Sequence, residues 1–388
     1  MAESRQLGIR PSLTVLKDNP IEKIARYARE RTDVIPMWFG ESDKKTPDFI
    51  CDAAMTALHQ GRVLYPGTCG MPEFRKALAA YHNRIYDLPL PAERFFAMSS
   101  GMVAIMMSFQ MLCEPGDEVV APAPIWPNIP GAATLCGARV RTVPMHLDET
   151  GWHLNVQQLF DATTEKTRAI FINSPCNPNG WMMSHREMHH VLDFAREKGL
   201  WIISDEVYGR QTFDTPRAPS FLDITDPDDR LIVINSFSKS WSMTGWRLGW
   251  MVAPEYMTEP IQKTVQFNNM GTSEFLQCAG IAALERGEDF LADEGRRHKI
   301  SRDIICSALR EIPQVTFTDP PSTFYVFFRV LGCEDSVALA KRLIDEVGVG
   351  LAPGAAFGEA GEGCLRLCCA VDPSKAEVAA DLLVRALR

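Results

Sequence analysis

A lysine set among hydroxylated residues, Ser236-Phe237-Ser238-Lys239-Ser240, follows the apolar run Leu231–Ile234, and Arg247 stands eight positions beyond it. An amine in such a setting suits Schiff-base chemistry, because lysine loses its proton readily when desolvated or placed near another cation. Ser236, Ser238 and Arg247 could hold a phosphate, the guanidinium as a permanently charged, two-pronged donor. A second segment, Ser204-Asp205-Glu206-Val207-Tyr208, puts an acid just past the apolar Trp201–Ile203. A carboxylate there is partly desolvated and needs a cation, of which a protonated pyridine nitrogen is one. An Asp helix cap beside a core Tyr explains the same residues equally well. In the third segment, Ser99-Ser100-Gly101-Met102-Val103-Ala104, small residues end an apolar run and open a helix. Backbone N–H groups at a helix start bind phosphate, although an ordinary strand-to-helix turn has the same form.

These segments share a position, immediately after a short apolar run, and in an open parallel sheet ligands bind beyond the carboxyl ends of the strands. Short apolar runs alternate with segments of helical period from about Thr46 to Leu284, the pattern of strands joined by crossover helices. Seven strands are expected: Arg94–Ser99, Glu118–Ala121, Arg139–Pro144, Ala169–Asn173, Leu200–Ser204, Leu231–Asn235 and Leu248–Val252. Val103–Leu112, His185–Lys198 and Ser273–Glu285 read as helices between them. Beyond Glu285 the pattern changes to a long charged helix, Asp289–Arg310, then strands near Phe324–Arg329 and Cys364–Cys369 around a helix Ser336–Val347. The expected fold class is therefore α/β, with a large domain at 46–285 built on a mostly parallel seven-stranded sheet flanked by helices. A smaller α+β domain is expected from 1–45 and 286–388.

Composition narrows the function. The chain has 388 residues, 46% hydrophobic and 23% charged, with net charge −9. A net negative chain with scattered basic residues repels a phosphate backbone, which argues against nucleic acid as a partner. No apolar run approaches the roughly 20 residues needed to span a bilayer, and Met1–Arg10 has no signal-peptide core. Eleven cysteines at irregular spacing, with Cys368 and Cys369 adjacent, suggest reduced thiols and a cytoplasmic protein. Cys364 and Cys368 lack a second ligand pair, so no metal is expected, and His189 and His190 read as helix-surface imidazoles.

The segment SFSKSWSMTGWRLGW resembles the cofactor-lysine segment of the class I/II aminotransferases, fold-type I enzymes that use pyridoxal phosphate (PLP). Other segments follow in that family's order. Gly40-Glu41-Ser42-Asp43 with Thr46-Pro47 is similar to G-E-P-D…T-P, and Tyr65 with Gly70, Pro72, Glu73 and Arg75 to Y-x-x-x-x-G-x-P-E-x-R. Asn173-Ser174-Pro175-Cys176-Asn177-Pro178-Asn179-Gly180 matches N-x-P-x-N-P-x-G, and Asp205 to Tyr208 matches D-E-V-Y. Pro353–Gly358 resembles P-G-x-x-F-G, and Arg366 the arginine that takes the substrate carboxylate.

The resemblance implies an aminotransferase that moves the amino group of an L-amino acid to a 2-oxo acid by a ping-pong mechanism. Lys239 would be its Schiff-base lysine and proton shuttle. It implies Asp205 on the pyridine nitrogen, Asn177 and Tyr208 on the ring's phenolic oxygen, and Trp126 stacked on the ring. Phosphate would be held by Ser100, Gly101, Met102, Ser236, Ser238 and Arg247, and by Tyr65 from a second subunit, which makes the implied enzyme a homodimer with shared sites. Arg366, the Gly40 backbone and Asn177 would take the α-carboxylate. The same lysine would serve a PLP-dependent C–S β-lyase. Ser236-Phe237-Ser238-Lys239 also satisfies S-x-x-K, the nucleophile motif of serine acyl enzymes, but S-D-N and K-T-G are missing. A PLP-sensing DNA-binding regulator would need a helix-turn-helix ahead of Gly40, and none is seen. The motifs do not select the amino donor or acceptor; Lys44, Lys45 and Arg10 are candidates for a second substrate carboxylate and equally for solvated surface charges.

Overall fold

The computed structural model describes residues 8–16 and 18–388, so residues 1–7 and 17 of the expected 1–45 segment lie outside the described residues. Seven strands form one sheet: β1 (Phe95–Met98), β2 (Glu118–Ala123), β3 (Arg139–Pro144), β4 (Thr167–Asn173), β5 (Trp201–Asp205), β6 (Leu231–Ser236) and β7 (Gly249–Val252). Their spatial order is β1-β7-β6-β5-β4-β2-β3. Neighbours from β6 to β3 run parallel, and β7 alone runs antiparallel to both β6 and β1.

The apolar runs are continuous because both sheet faces are covered. Along β6, Leu231 and Val233 join one core cluster while Ile232 and Ile234 join the other. In β5, Ile202 and Ile203 divide the same way. The helix His185–Lys198 has the expected bounds, set by a Ser184–Glu187 capping box and by Gly199 in the left-handed conformation that ends it. The helix expected from Val103 starts two residues earlier, at Gly101, because Ser100 caps it through a 3.2 Å bond from the Val103 N–H. Arg94 leaves the first expected strand for a short 3-10 turn, where its Nε donates to Ala253 O at 3.2 Å.

A second sheet collects β8 (Val315–Thr316), β9 (Tyr325–Val330), β10 (Ala352–Pro353) and β11 (Cys364–Cys368) in the order β8-β9-β11-β10, all antiparallel. Part of the amino-terminal segment joins this region, while Arg10 reaches the other way and donates to Leu135 O. Ile35–Pro36 pairs in parallel with Val349–Gly350, and the Tyr27 hydroxyl donates to Asp345 at 2.9 Å.

Among the described residues, no helix is long and apolar enough to cross a membrane and no group of three His, Cys, Asp or Glu could hold a metal ion. All eleven cysteines are free. Cys364 and Cys368 are buried in β11, and His189 and His190 are exposed.

Candidate active site

The carboxyl ends of β4, β5 and β6 bring Asn173, Asp205 and Ser236 side by side, with Asn173 directly opposite Asp205. Above them is a cavity of about 470 Å3, walled on the other side by Gly40, Tyr325 and Arg366.

Lys239 enters it from the four-residue helix Phe237–Ser240 that follows β6. Its ammonium donates to the Gly40 carbonyl and lies 6.0 Å over the Tyr208 ring. Burial pushes the amine down to about 8, so far more of it is uncharged near neutral pH than of an ordinary lysine, roughly a tenth at one pH unit below that value. Asp205 ends β5 with its side chain buried, and its Oδ1 accepts a 3.3 Å bond from the Val207 N–H. Burial pushes this carboxyl up to about 7, and among the described residues it has no ion-pair partner. The Asn173 side chain braces the floor: Nδ2 donates to Asp205 O at 3.0 Å and Oδ1 accepts from Asn177 N at 2.8 Å.

Arg366 projects from β11 and is 2% exposed. Its Nη1 donates to Asn177 Oδ1 at 2.8 Å, Nη2 donates to Trp38 O, and Nε has no partner. The guanidinium lies between the rings of Tyr325 and Phe357, 4.3 and 5.0 Å from their centroids. A buried arginine held by carbonyl oxygens and ring faces, with no carboxylate, is incomplete until an anion joins it.

Opposite, the N–H groups of Gly101 and Met102 open a helix toward the cavity, near the Ser236 and Ser238 hydroxyls and Arg247. Arg247 has φ 55° and donates to Thr244 O. β7 passes beneath this cradle at Gly249, where a Cβ would lie 2.7 Å from Asn235 O and 2.9 Å from Gly101 N. Gly40 is equally constrained, since a Cβ there would fall 1.7 Å from the Tyr325 hydroxyl oxygen. That hydroxyl pairs with Tyr208 at 2.7 Å.

Of the residues expected from sequence, Lys239, Asp205, Tyr208, Asn177, Trp126, Gly101, Met102, Ser236, Ser238, Arg247, Gly40 and Arg366 all line this cavity. Ser100 does not, because its hydroxyl is spent on the helix cap. Tyr65 does not either and is 86% exposed. Of the suggested extra cations, Arg10 bonds Leu135 O at 3.0 Å, Lys45 pairs with Asp48 at 2.8 Å, and none of Arg10, Lys44 and Lys45 lines the cavity. Motif reading missed Tyr325, hidden in an apolar strand, and Asn19 and Glu22, which only the packing of the amino-terminal segment brings to the mouth. The S-x-x-K reading loses its geometry: Ser236 Oγ donates to Ser238 Oγ at 3.0 Å, while the Lys239 ammonium is engaged with Gly40.

A buried carboxyl without a cation, a phosphate-sized cradle at a helix start and a buried lysine of lowered basicity between them fit pyridoxal phosphate. The family model for aminotransferase class I and II matches residues 32–383. The chain is 32% identical to the aspartate aminotransferase of Pyrococcus abyssi over 380 residues, covering 97% of each. It is 30% identical to aromatic-amino-acid aminotransferase 2 of Thermococcus litoralis, covering 98% of this chain and 99% of that one. A solved aspartate aminotransferase of Thermus thermophilus superposes with a TM-score of 0.90 at 26% identity, covering 98% of this chain and 99% of the other. The chain thus belongs to the class I and II aminotransferases, PLP-dependent enzymes of fold type I.

Proposed function

We propose that the chain moves the amino group of an L-amino acid to a 2-oxo acid in two half-reactions, with Lys239 as both the covalent anchor of the cofactor and the proton carrier. The observation that carries this reading is the placement of one buried, partly deprotonated amine between Asp205 and Arg366 in a single cavity. When bound, PLP supplies an electron-withdrawing ring that stabilises negative charge at the substrate Cα.

Asp205 would hold the ring nitrogen protonated. An ion pair at about 4 Å is worth about 4 kcal/mol at an effective dielectric of 20, enough to draw the carboxyl back to its ionised form against burial. Gly101, Met102, Ser236, Ser238 and Arg247 would grip the phosphate, with Ser100 acting through the helix cap. Asn177 and Tyr208 would bond the ring oxygen, and Trp126 would cover one ring face. Arg366, with Asn177 and the Gly40 backbone, would take the α-carboxylate, which fixes the Cα–H bond within reach of Lys239. The Lys239 amine would accept the Cα proton of the substrate held beside it and could give that proton back; an amine near 8 suits transfer in both directions.

The exposure of Leu64, Tyr65 and Phe267 at 79%, 86% and 84% supports a homodimer. Their segments are neighbours, since a Cβ on Gly271 would lie 3.0 Å from Pro66. Tyr65 would then reach the partner's phosphate. The partition of strands between two sheets supports domains at 46–285 and at 1–45 with 286–388. Eleven free thiols support a cytoplasmic location.

The test is a half-reaction without acceptor. One equivalent of 2-oxo acid per site should form as the visible cofactor band disappears, and a second 2-oxo acid should restore the band. Continuous release of ammonia without acceptor would overturn the reading in favour of elimination. Aspartate and aromatic amino acids, named in the relatives, are the first donors to try.

A further inference from the structure

Lys239 is held at both ends, and the two holds are joined. The helix carrying it has four residues, too short to satisfy its own carbonyls, so those groups need outside partners. The Lys239 carbonyl finds Gln211, whose Nε2 donates to it at 3.3 Å. That donation turns Gln211 Oε1 toward His298 Nδ1, 3.3 Å away. The other ring nitrogen of His298, Nε2, lies 3.3 Å from Glu294 Oε2 as an electrostatic contact without hydrogen-bond geometry, and the same oxygen accepts from Ser42 Oγ at 2.7 Å. Ser42 lies two residues from Gly40, whose carbonyl receives the Lys239 ammonium.

Gln211, His298 and Glu294 are at most 5% exposed, so water does not compete for these contacts. Arg297 fixes the returning loop, donating at 2.7 Å to both Ser42 Oγ and Asp43 Oδ1. The Gln211 N–H also donates to Tyr208 O at 2.8 Å. One residue, through its backbone N–H and its side chain, thereby ties the backbone of Tyr208 to that of Lys239. Ser42 stands where the family pattern has proline, which has no hydroxyl, so this arm belongs to the present chain.

We propose that Gln211 is a positioning residue for Lys239, closing with His298, Glu294 and Ser42 a buried polar circuit that fixes the lysine's backbone and tip relative to each other. The inference rests on the reading of Lys239 as anchor and proton carrier. A long, flexible side chain that must reach both the substrate Cα and the cofactor carbon gains most from fixed ends.

The test compares Gln211→Leu, Ser42→Ala and Ser42→Thr with the parent holoenzyme. The first readouts are kcat, KM and the pH midpoint of the visible cofactor band. A further readout uses cofactor-free protein: the pH dependence of Lys239 methylation by formaldehyde and cyanoborohydride, followed by the mass of its peptide. Asp205, Glu41, Arg247, Arg366 and the Cys368 thiol face the amine and are unchanged in every variant, so a moved midpoint reports a moved amine. Gln211→Leu should lower kcat about tenfold with KM within about twofold, and shift both midpoints by about half a pH unit or more. Ser42→Ala should shift them in the same direction by less, and Ser42→Thr, which keeps the hydroxyl, should match the parent. Variants that only melt earlier, with parental kcat and midpoints, would overturn the proposal. If Gln211→Leu does not fold, the contrast between Ser42→Ala and Ser42→Thr decides alone. A Lys239→Ala protein that kept its visible band would bring down the anchor reading itself; loss of that band together with silent Gln211 and Ser42 variants brings down only the circuit.

Discussion

Two carboxyl groups at opposite ends of the same sheet have opposite electrostatics. Glu118 opens β2 with its side chain 2% exposed. Burial pushes its carboxyl up, but bonds from Arg139 and Thr164, and Arg141 at 3.7 Å, outweigh that and leave it below the usual carboxylate range. Asp205 closes β5, as little exposed to solvent but set deeper in the protein, and has only the Val207 N–H and a distant Lys239, so burial wins and the carboxyl rises to about 7. At one end the protein supplies every partner itself. At the other it leaves a cation missing beside Asp205 and an anion missing beside Arg366, deficits that cofactor and substrate can fill. The first arrangement serves stability and the second serves binding.

Substitutions at the two ends should therefore separate activity from stability. Lys239→Ala should abolish turnover and the visible band together; measurable turnover in this variant would remove the lysine from the chemistry. Asp205→Asn should cost about 4 kcal/mol in the activated complex, about a thousandfold in kcat, with little change in melting temperature. Arg366→Gln removes charged hydrogen bonds worth about 1.5–3 kcal/mol and should lower kcat/KM by about ten- to a hundredfold while the cofactor band stays intact. Glu118→Gln reverses the pattern, with about 1–3 kcal/mol lost from stability in denaturant titrations and kcat unchanged. It falls short of a fully buried pair because Arg139 is 69% exposed.

The last effect is one of pH. In cofactor-free protein, native Asp205 keeps its proton up to about 7, whereas the unfolded chain releases it near 3.8. Between those values the native state binds more protons, so its stability falls as pH rises. Glu206, also raised to about 7 by burial, slopes the same way. Asp205→Asn should flatten part of that slope in melting scans from pH 4 to 7, and an unchanged slope would place the proton elsewhere.

Sequence showed the floor of the site better than its walls. Lys239, Asp205 and Gly101 each stand within five residues of the end of an apolar run, so local pattern and the rule for strand ends locate them. Arg366 lies within an apolar run and was found only through the family's order of motifs. Tyr325 is one aromatic among several in β9, and nothing in its neighbours marks it as facing Gly40 across 285 positions of chain. Gln211 and His298 were invisible for the same reason, since their contacts join elements 87 residues apart. Ser100 was placed correctly at the turn, but a capping hydroxyl and a phosphate-binding one follow the same sequence pattern.

The contact between Gly40 and Tyr325 also restricts how this enzyme can diverge. A side chain at position 40 would collide with the hydroxyl, and a phenylalanine at 325 would not clear it, because Tyr325 Cζ lies only 2.7 Å from where the Cβ would stand. Neither residue can drift alone toward a bulkier pair. Lineages and mutant libraries must cross that gap in a double step, through a small residue at 325 that first gives up the Tyr208 hydroxyl bond.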